Sequence, residues 1–496
     1  MTLRFPSQFT APLSILMMLS RTIRAISCSH LRPRLPRSQT NRCLATPTSV
    51  SDDHQVSEIM RSIGLQPMPE QDLISTDPND PDIFVSDQEI ESDSQIRFRD
   101  YPFVKMAVTD AAFANVPDAL KLSVANILSK IAPKRRSLPL KQTWTEVVNK
   151  KFLNPCAIYD RDRSIEYLQN DHFMSHAVLR RIFREIKKRR PNLSVSRVLD
   201  FGAGTGSAQW ALGEEFNTSL QTISCVEPAP FMRDLGQQQS QHVKSVLSEC
   251  NIDWYTTLPD PSPHSITIAS FVMTEVHEAN RAIVLDHLWS CTEPGGVLVL
   301  VDFANAECNS VLHQCRKYLL NYNNAKVLAP CPHSSACPWQ DRFGVLLETK
   351  DKRKLRRRQH ERNFCHFAQR VKLDSFPAGS VMKMRPKTGS KLRFQHEHMV
   401  PFVYSVIEKN DAGNTETGVD IEGVDQWSRM IRPPIKRGGH VIVEVCQSDG
   451  KIERQVVSRR KGAGGPYKLA RVSSWSDLWP YTRVVEDEDQ QPDDEH

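Results

Sequence analysis

Between residues 194 and 322, short apolar runs alternate with stretches of helical character, and few folds accept that alternation. The runs read RVLDFG, TISCVE, SITIASFVM and GVLVLVDF, with helices expected between them over 207–216 and 281–289. Runs this apolar suit a sheet covered by helices, and strands that alternate with helices pair in parallel. The expected fold class is α/β, with a Rossmann-type sheet over 191–322.

The chain of 496 residues is too long for one core, and at about 150 residues per domain it predicts about three units. Residues 52–190 read as an acidic, proline-bearing linker and then a helical region. There Leu120, Val124, Ile127 and Ile131 recur at helical spacing, and further helices are expected over 56–63, 144–152 and 172–188. Residues 323–485 are basic, with few long apolar runs and short strands such as HVIVEV (440–445) and RQVVSRR (454–460). That composition predicts a smaller Cys-rich C-terminal domain whose apolar core is thin. No internal repeat is evident.

The ends of the chain differ sharply in charge. Residues 1–51 hold seven Arg and neither Lys, Asp nor Glu. That is the composition of a mitochondrial transit peptide, and it implies a matrix location. Disulfides are not expected there, so the twelve Cys are read for metal binding or chemistry. Residues 486–496 carry seven carboxylates and no Lys or Arg, the pattern of a disordered acidic tail. The apolar run from Ile15 to Leu19 falls far short of the ~20 residues of a membrane-spanning helix. No membrane span is expected.

The first strand leads into Asp200-Phe201-Gly202-Ala203-Gly204-Thr205-Gly206. Three glycines let a backbone turn tightly and approach a ligand closely. Their spacing is G-x-G-x-G, not the G-x-G-x-x-G of dinucleotide binders, and Glu227 ends the second strand at a distance suited to ribose hydroxyls. With Glu293-Pro294-Gly295-Gly296 before the last strand, the set resembles class I S-adenosylmethionine-dependent methyltransferases. That resemblance makes Asp200, Gly202, Gly204, Gly206 and Glu227 candidate cofactor-binding residues. The strand end Ala269–Glu275 lacks the [N/D]-P-P-[Y/F] motif of amino methyltransferases, and no Cys pair of the cytosine-5 type is present. No catalytic residue is assigned, and Glu275 and His277 read as helix caps.

Four cysteines stand apart from the rest. Cys331 and Cys337 lie in Ala329-Pro330-Cys331-Pro332-His333-Ser334-Ser335-Ala336-Cys337-Pro338, Cys365 in Asn363-Phe364-Cys365-His366-Phe367, and Cys446 ends HVIVEVC. Proline stiffens the loop around the first two, and a bound metal would hold together a region poor in core. The residues alone leave zinc and an iron–sulfur cluster both open, with His333 or His366 as spare ligands. Between Cys337 and Cys365, residues 350–362 hold eight Lys or Arg against two acids. Lys352, Arg353, Lys354, Arg356, Arg357 and Arg358 are candidate RNA-phosphate contacts.

Taken together, VLDFGAGTG, APCPHSSACP, NFCHFAQRV, IRPPIKRGGHVIVEVC and ARVSSWSDLWP resemble the mitochondrial small-ribosomal-subunit methyltransferase-like family, known in animals as methyltransferase-like protein 17. The match runs from about 150 to 480. It implies a class I methyltransferase-like fold and a part in assembling the small mitoribosomal subunit, with its rRNA and ribosomal proteins as partners and the free chain a monomer. It also implies S-adenosylmethionine in the glycine-loop cleft and a [4Fe–4S] cluster on Cys331, Cys337, Cys365 and Cys446. The alternatives are an active rRNA methyltransferase and a zinc-stabilised RNA-binding protein. This chain departs from the pattern in the basic insertion between Cys337 and Cys365.

Overall fold

The computed structural model describes residues 98–108, 114–131, 159–247, 249–339, 364–372, 397–410, 423–459 and 465–481. The arginine-rich segment 1–51, the helices expected at 56–63 and 144–152, the insertion at 350–362 and the acidic tail lie outside the described residues. No helix among the described residues is long and apolar enough to cross a membrane.

Helices α1 (Pro102–Ala107), α2 (Asp118–Lys130) and α3 (Arg161–Arg189) precede the first strand. Then β1 (Arg197–Phe201), α4 (Ser207–Phe216), β2 (Thr222–Val226), α5 (Pro230–Val243), β3 (Asn251–Tyr255), β4 (His264–Ser270), α6 (Glu278–Cys291), β5 (Thr292–Phe303) and α7 (Ala306–Leu319) follow. The five strands are parallel in the order β3-β2-β1-β4-β5. The order reverses between β1 and β4, which places the ligand crevice of such a sheet at their carboxyl ends. This is the expected methyltransferase-like α/β sheet.

Strand periodicity explains why it is covered on both faces. Along β5, Val297, Val299 and Val301 enter a core shared with α2, α3, α4 and α5. Leu298 and Leu300 enter the opposite core, under α6 and α7. Successive side chains of a strand point to opposite faces, so one run of five apolar residues supplies two layers. Burying each such side chain fully is worth about 1.5–3 kcal/mol.

The sheet does not end where the alternation ends. β6 (Ala325–Ala329), β7 (Phe367–Lys372) and β8 (Glu397–Lys409) complete it, so these three strands belong to the large sheet and not to a separate C-terminal domain. β8 runs antiparallel beside β5, Phe303 facing Phe402 and Val297 facing Glu408. Its other edge carries two strands in line: β6 pairs as far as Ala329↔Val406, and β7 takes over at Phe367↔Phe402. The two registers leave Val403, Tyr404 and Ser405 between them. Chain leaving β6 and chain entering β7 therefore meet at one gap.

A second sheet forms from β9 (Ser428–Met430), β10 (Ile435–Lys436), β11 (His440–Cys446), β12 (Ile452–Ser458) and, after α8 (Gly465–Val472), β13 (Leu478–Trp479). Its core is small but real. Val441, Val443 and Val445 pack with Met430, Leu469 and Trp479, and Val104 and Ala107 of α1 complete the cluster. The expected helical N-terminal region is thus divided, α1 serving the small sheet and α2 and α3 the large one.

Helix α3 links the two sheets. Asp160 caps it by accepting the Arg163 backbone N–H at 2.9 Å, and Lys187, Lys188 and Arg189 in the last turn suit the negative end of its dipole. The helix stops before Pro191, which disfavours helical geometry in the residue preceding it. Near that end, Arg190 forks onto Glu408 (2.5 and 2.7 Å) and also reaches Asp425 (2.8 Å), to which Arg189 donates at 2.8 Å. Burial opposes ionisation of Asp425, but the bonds and charges of these two arginines outweigh it and hold the carboxyl well below its ordinary range. One turn earlier, buried Glu185 pairs with Arg429 of β9 and accepts the Tyr404 hydroxyl at 2.8 Å.

Removing one partner of a buried pair leaves the other charge uncompensated, which costs about 3–5 kcal/mol. Arg429→Ala should lower stability to denaturant by that order. The exposed Arg437→Ala should change it by no more than about 0.5 kcal/mol. Equal urea midpoints for the two variants would contradict the network.

Candidate functional site

Two sites emerge, one at the carboxyl end of β1 and one at the β6–β7 gap. At the first, Gly202, Gly204 and Gly206 all take positive φ (74°, 55° and 81°). A Cβ on Gly202 would lie 2.6 Å from Val272, so that glycine is required by shape as well as by φ. The backbone N–H groups of Gly202 and Ala203 both donate to Val226 O, at 2.9 and 3.0 Å. Glu227 faces the loop across the cleft: Oε2 accepts the Gly204 N–H at 2.9 Å and Oε1 the Ala229 N–H at 2.8 Å. Burial raises its pKa against those two bonds.

The cleft holds ≈ 740 Å³ free of protein atoms, open solvent included. Phe201, Met232, Phe271, Val272 and Val276 give it apolar walls, and Tyr159 and Tyr167 line it from the start of α3. The Tyr159 hydroxyl donates to Glu275 Oε1 at 2.6 Å, and burial pushes the Glu275 carboxyl up to about 7. The expected capping role holds for His277, whose Nδ1 accepts the Ala279 N–H at 3.2 Å, but Glu275 belongs to the cleft. Phe271, just beyond β4, has φ 57°, unusual for an aromatic residue, and its ring centre lies 4.6 Å from that of Phe303, the two planes tilted by 43°.

Asp200 behaves differently from the other loop residues. It does not line the cleft; it lies buried behind it, and neither carboxylate oxygen has a hydrogen-bond partner. Burial, and then the charge of Glu227, push its pKa up to about 7. Beside the loop, His172 Nδ1 lies 2.7 Å from the Thr205 hydroxyl, and burial pushes its pKa down to about 3. That neutral ring ties α3 to the glycine loop.

At the second site, the structure brings Cys331, Cys337, Cys365 and Cys446 together. Cys331 follows β6 and Cys365 precedes β7, so both arrive at the gap in the β8 edge, and Cys446 comes from the end of β11 in the other sheet. Cys331, Cys337 and Cys365 line one small cavity with Pro330, Val403, Tyr404 and Ser405. Burial pushes the Cys365 thiol far up, with the other three cysteines adding to the effect, and burial with Cys331 and Cys337 raises the Cys446 thiol. Cys446 Sγ also lies 3.4 Å from His333 Nε2. Among the described residues, no three His, Cys, Asp or Glu side chains surround a point that a single metal ion would fill.

Buried arginines hold the cysteine loop. Arg316 of α7 donates to the carbonyls of His333 (3.0 Å) and Ser335 (2.8 Å), and Arg429 donates to that of Pro330 (2.9 Å). Sequence reading missed both. A signal existed for Arg316, which falls on the apolar stripe Leu312, Cys315, Leu319 of its helix. No such signal marks Arg429, or Tyr159 and Tyr167 in the cleft wall. Lys352, Arg353, Lys354, Arg356, Arg357 and Arg358 lie outside the described residues.

The family model described as mitochondrial small ribosomal subunit Rsm22 matches residues 161–480. The chain belongs to this family. Within it, a Schizosaccharomyces pombe protein named "Rsm22-cox11 tandem protein 2, mitochondrial" is 25% identical over 439 residues, covering 82% of this chain and 53% of that protein. The human "Ribosome assembly protein METTL17, mitochondrial" is 24% identical over 337 residues, covering 65% of this chain and 63% of that one. The Rsm22-family chain thus spans less than two thirds of the length of these relatives. A solved S-adenosylmethionine-dependent methyltransferase from Aquifex aeolicus aligns over 29% of this chain and 73% of its own, with 15% identity and a TM-score of 0.24. So loose an alignment leaves the strand order above as the basis for the fold.

Asp200 supplies a check on the cleft. A buried acid whose folded pKa is raised favours folding most below its unfolded pKa of about 4, and that advantage is lost as pH rises towards about 7. Each pH unit between the unfolded and folded values is worth about 1.4 kcal/mol. The ligand-free protein should therefore melt lower at about pH 8 than at about pH 5, and Asp200→Asn should flatten that difference. An identical pH profile for the variant would place the Asp200 carboxyl in a more solvated setting than described.

Proposed function

We propose that this Rsm22-family chain is a mitochondrial assembly factor for the small ribosomal subunit, with rRNA as its partner. In this reading its cleft binds S-adenosylmethionine, and Cys331, Cys337, Cys365 and Cys446 bind a [4Fe–4S] cluster. One observation carries it beyond family membership. Four thiols distant in sequence converge at the break in the pairing of the outer edge of β8.

The donor set fits a cluster. Thiolates are the usual ligands of iron–sulfur centres, and a cubane spaces its four cysteines wider than one tetrahedral zinc ion does. Arg316 lies near Cys446, Arg432 near Cys365 and Arg429 near Cys331, so cationic charge offsets the negative charge of thiolates. A bound cluster would supply four metal–sulfur bonds across the two sheets, and binding energy of that kind is folding energy.

The cleft suits a nucleoside ligand in shape and polarity. Apolar walls accommodate a base, the glycine loop leaves its backbone open, and Glu227 keeps spare lone pairs for ribose hydroxyls beyond the two bonds it accepts. Assembly requires binding, not methyl transfer. Glu227 is engaged with the loop and Glu275 with Tyr159, so neither carboxylate stands ready as a general base.

Two measurements test these assignments separately. Anaerobically purified protein should contain iron and acid-labile sulfide in equal amounts, and Cys365→Ser should lose both while Cys250→Ser retains them; zinc without sulfide would return the junction to a zinc site. In calorimetry, Glu227→Ala should weaken S-adenosylmethionine binding by about 1–3 kcal/mol, the value of charge-assisted hydrogen bonds. Unaltered affinity would remove Glu227 from the ligand site.

A further inference from the structure

Folding assembles a second concentration of positive charge that no single run of sequence displays. Arg99 sits in a 3-10 turn before α1, Lys436 and Arg437 lead into the β10–β11 turn, Arg459 follows β12, and Lys468 and Arg471 project from α8. All six are exposed. Contacts tie them into one face. Arg471 Nη1 donates to Arg437 O at 3.2 Å, the Arg459 N–H to Gly439 O at 2.9 Å, and Lys436 Nζ to Ser473 O at 2.8 Å. The Lys468 ammonium lies 5.9 Å from the centre of the Phe98 ring, next to Arg99 in sequence. Partial burial, and then the charges of Arg471 and Arg99, lower the Lys436 pKa against the opposing charge of Asp477.

None of the six forms an ion pair with a described residue. Asp100 turns to Lys105 at 3.8 Å, and Asp477 is buried, accepting the Ser474 N–H at 2.7 Å. Among the described residues these like charges come together without an ion pair, Asp477 being the one carboxylate whose charge acts on Lys436, and a bound polyanion would offset the excess.

The turn itself points the same way. Gly438 and Gly439 adopt no positive φ, and a Cβ on either would meet nothing within 4 Å. Among the described residues, neither a positive φ nor close packing requires glycine there. What the pair provides is a bare backbone that an outside group can approach closely.

We propose that this face of the small sheet is a phosphate-backbone site for RNA: the Gly438-Gly439 tip meets the phosphodiester chain, and Lys436, Arg437, Arg459 and Arg471 neutralise its phosphates. The site rests on the rRNA-binding reading above and is distinct from the 350–362 insertion. A phosphodiester chain matches it better than an acidic protein does. Charge spaced along a backbone suits a row of exposed cations, whereas a protein interface needs a desolvated core, and the bare glycine tip offers none.

The test uses the full chain and a fluorescein-labelled single-stranded RNA of mixed sequence, titrated by anisotropy across a KCl series. Lys436→Glu with Arg471→Glu should reduce the slope of log affinity against log salt by about 1.4, at about 0.7 for each phosphate no longer neutralised. Gly439→Leu should weaken binding without changing the melting temperature, since its side chain has open space. Unchanged slopes in the double variant, or unchanged affinity for Gly439→Leu, would overturn the site. If charge reversal across 352–358 abolishes binding while these variants leave it intact, the RNA reading stands and this face falls. A wild-type chain without RNA affinity removes both, and poly-glutamate competing as well as RNA at equal ionic strength would reassign the face to an acidic protein.

Discussion

A sheet edge inside a folded protein must find hydrogen-bond partners, and the outer edge of β8 finds them in two pieces. No single strand covers it: β6 satisfies one end and β7 the other, with Val403, Tyr404 and Ser405 between. Everything characteristic of the junction follows from that break. The chain leaves the sheet after Ala329 and returns before Phe367, so backbone pairing brings the cysteines flanking those points to one place. The small sheet then adds Cys446 from the end of β11, and Arg429 of the neighbouring strand secures the Pro330 carbonyl.

Helix α3 gives the two sites a common support. At roughly 1.5 Å per residue, its 29 residues reach from the cleft to the charged network around Asp425 and Arg429. Its first turns carry Tyr167 into the cleft wall, and His172 holds the glycine loop. Its last turns place Glu185, Arg189 and Arg190 against both sheets. Buried ion pairs add little net stability over apolar packing but fix relative position, because a misplaced partner leaves a charge alone.

The sequence made the Rossmann half legible because its signals are local. Strand β1, helix α4 and the glycine turn lie within twenty residues, each with its own periodicity or special backbone. The four cysteines were legible as a set through proline context and family resemblance, but their meeting place was not. That depends on β8, whose pairing partners lie far away in sequence and whose Pro401 argues locally against a central strand. Strands β6, β7 and β8 accordingly read as part of a basic domain and instead complete the sheet. Arg316 was detectable as a charge on an apolar stripe. Arg429, Tyr159 and the partners of α1 were not, since each is defined by a contact that leaves no periodic trace.

The docking of α1 has a consequence for synthesis. Val104 and Ala107 are made well before the valines of β11 and the Trp479 ring that cover them. Chains generally begin folding from the amino-terminal side as they emerge, but here that side waits for the carboxyl-terminal sheet. Until then the apolar face of α1 stays uncovered in the nascent chain, so the small sheet closes only after β11 and Trp479 have emerged.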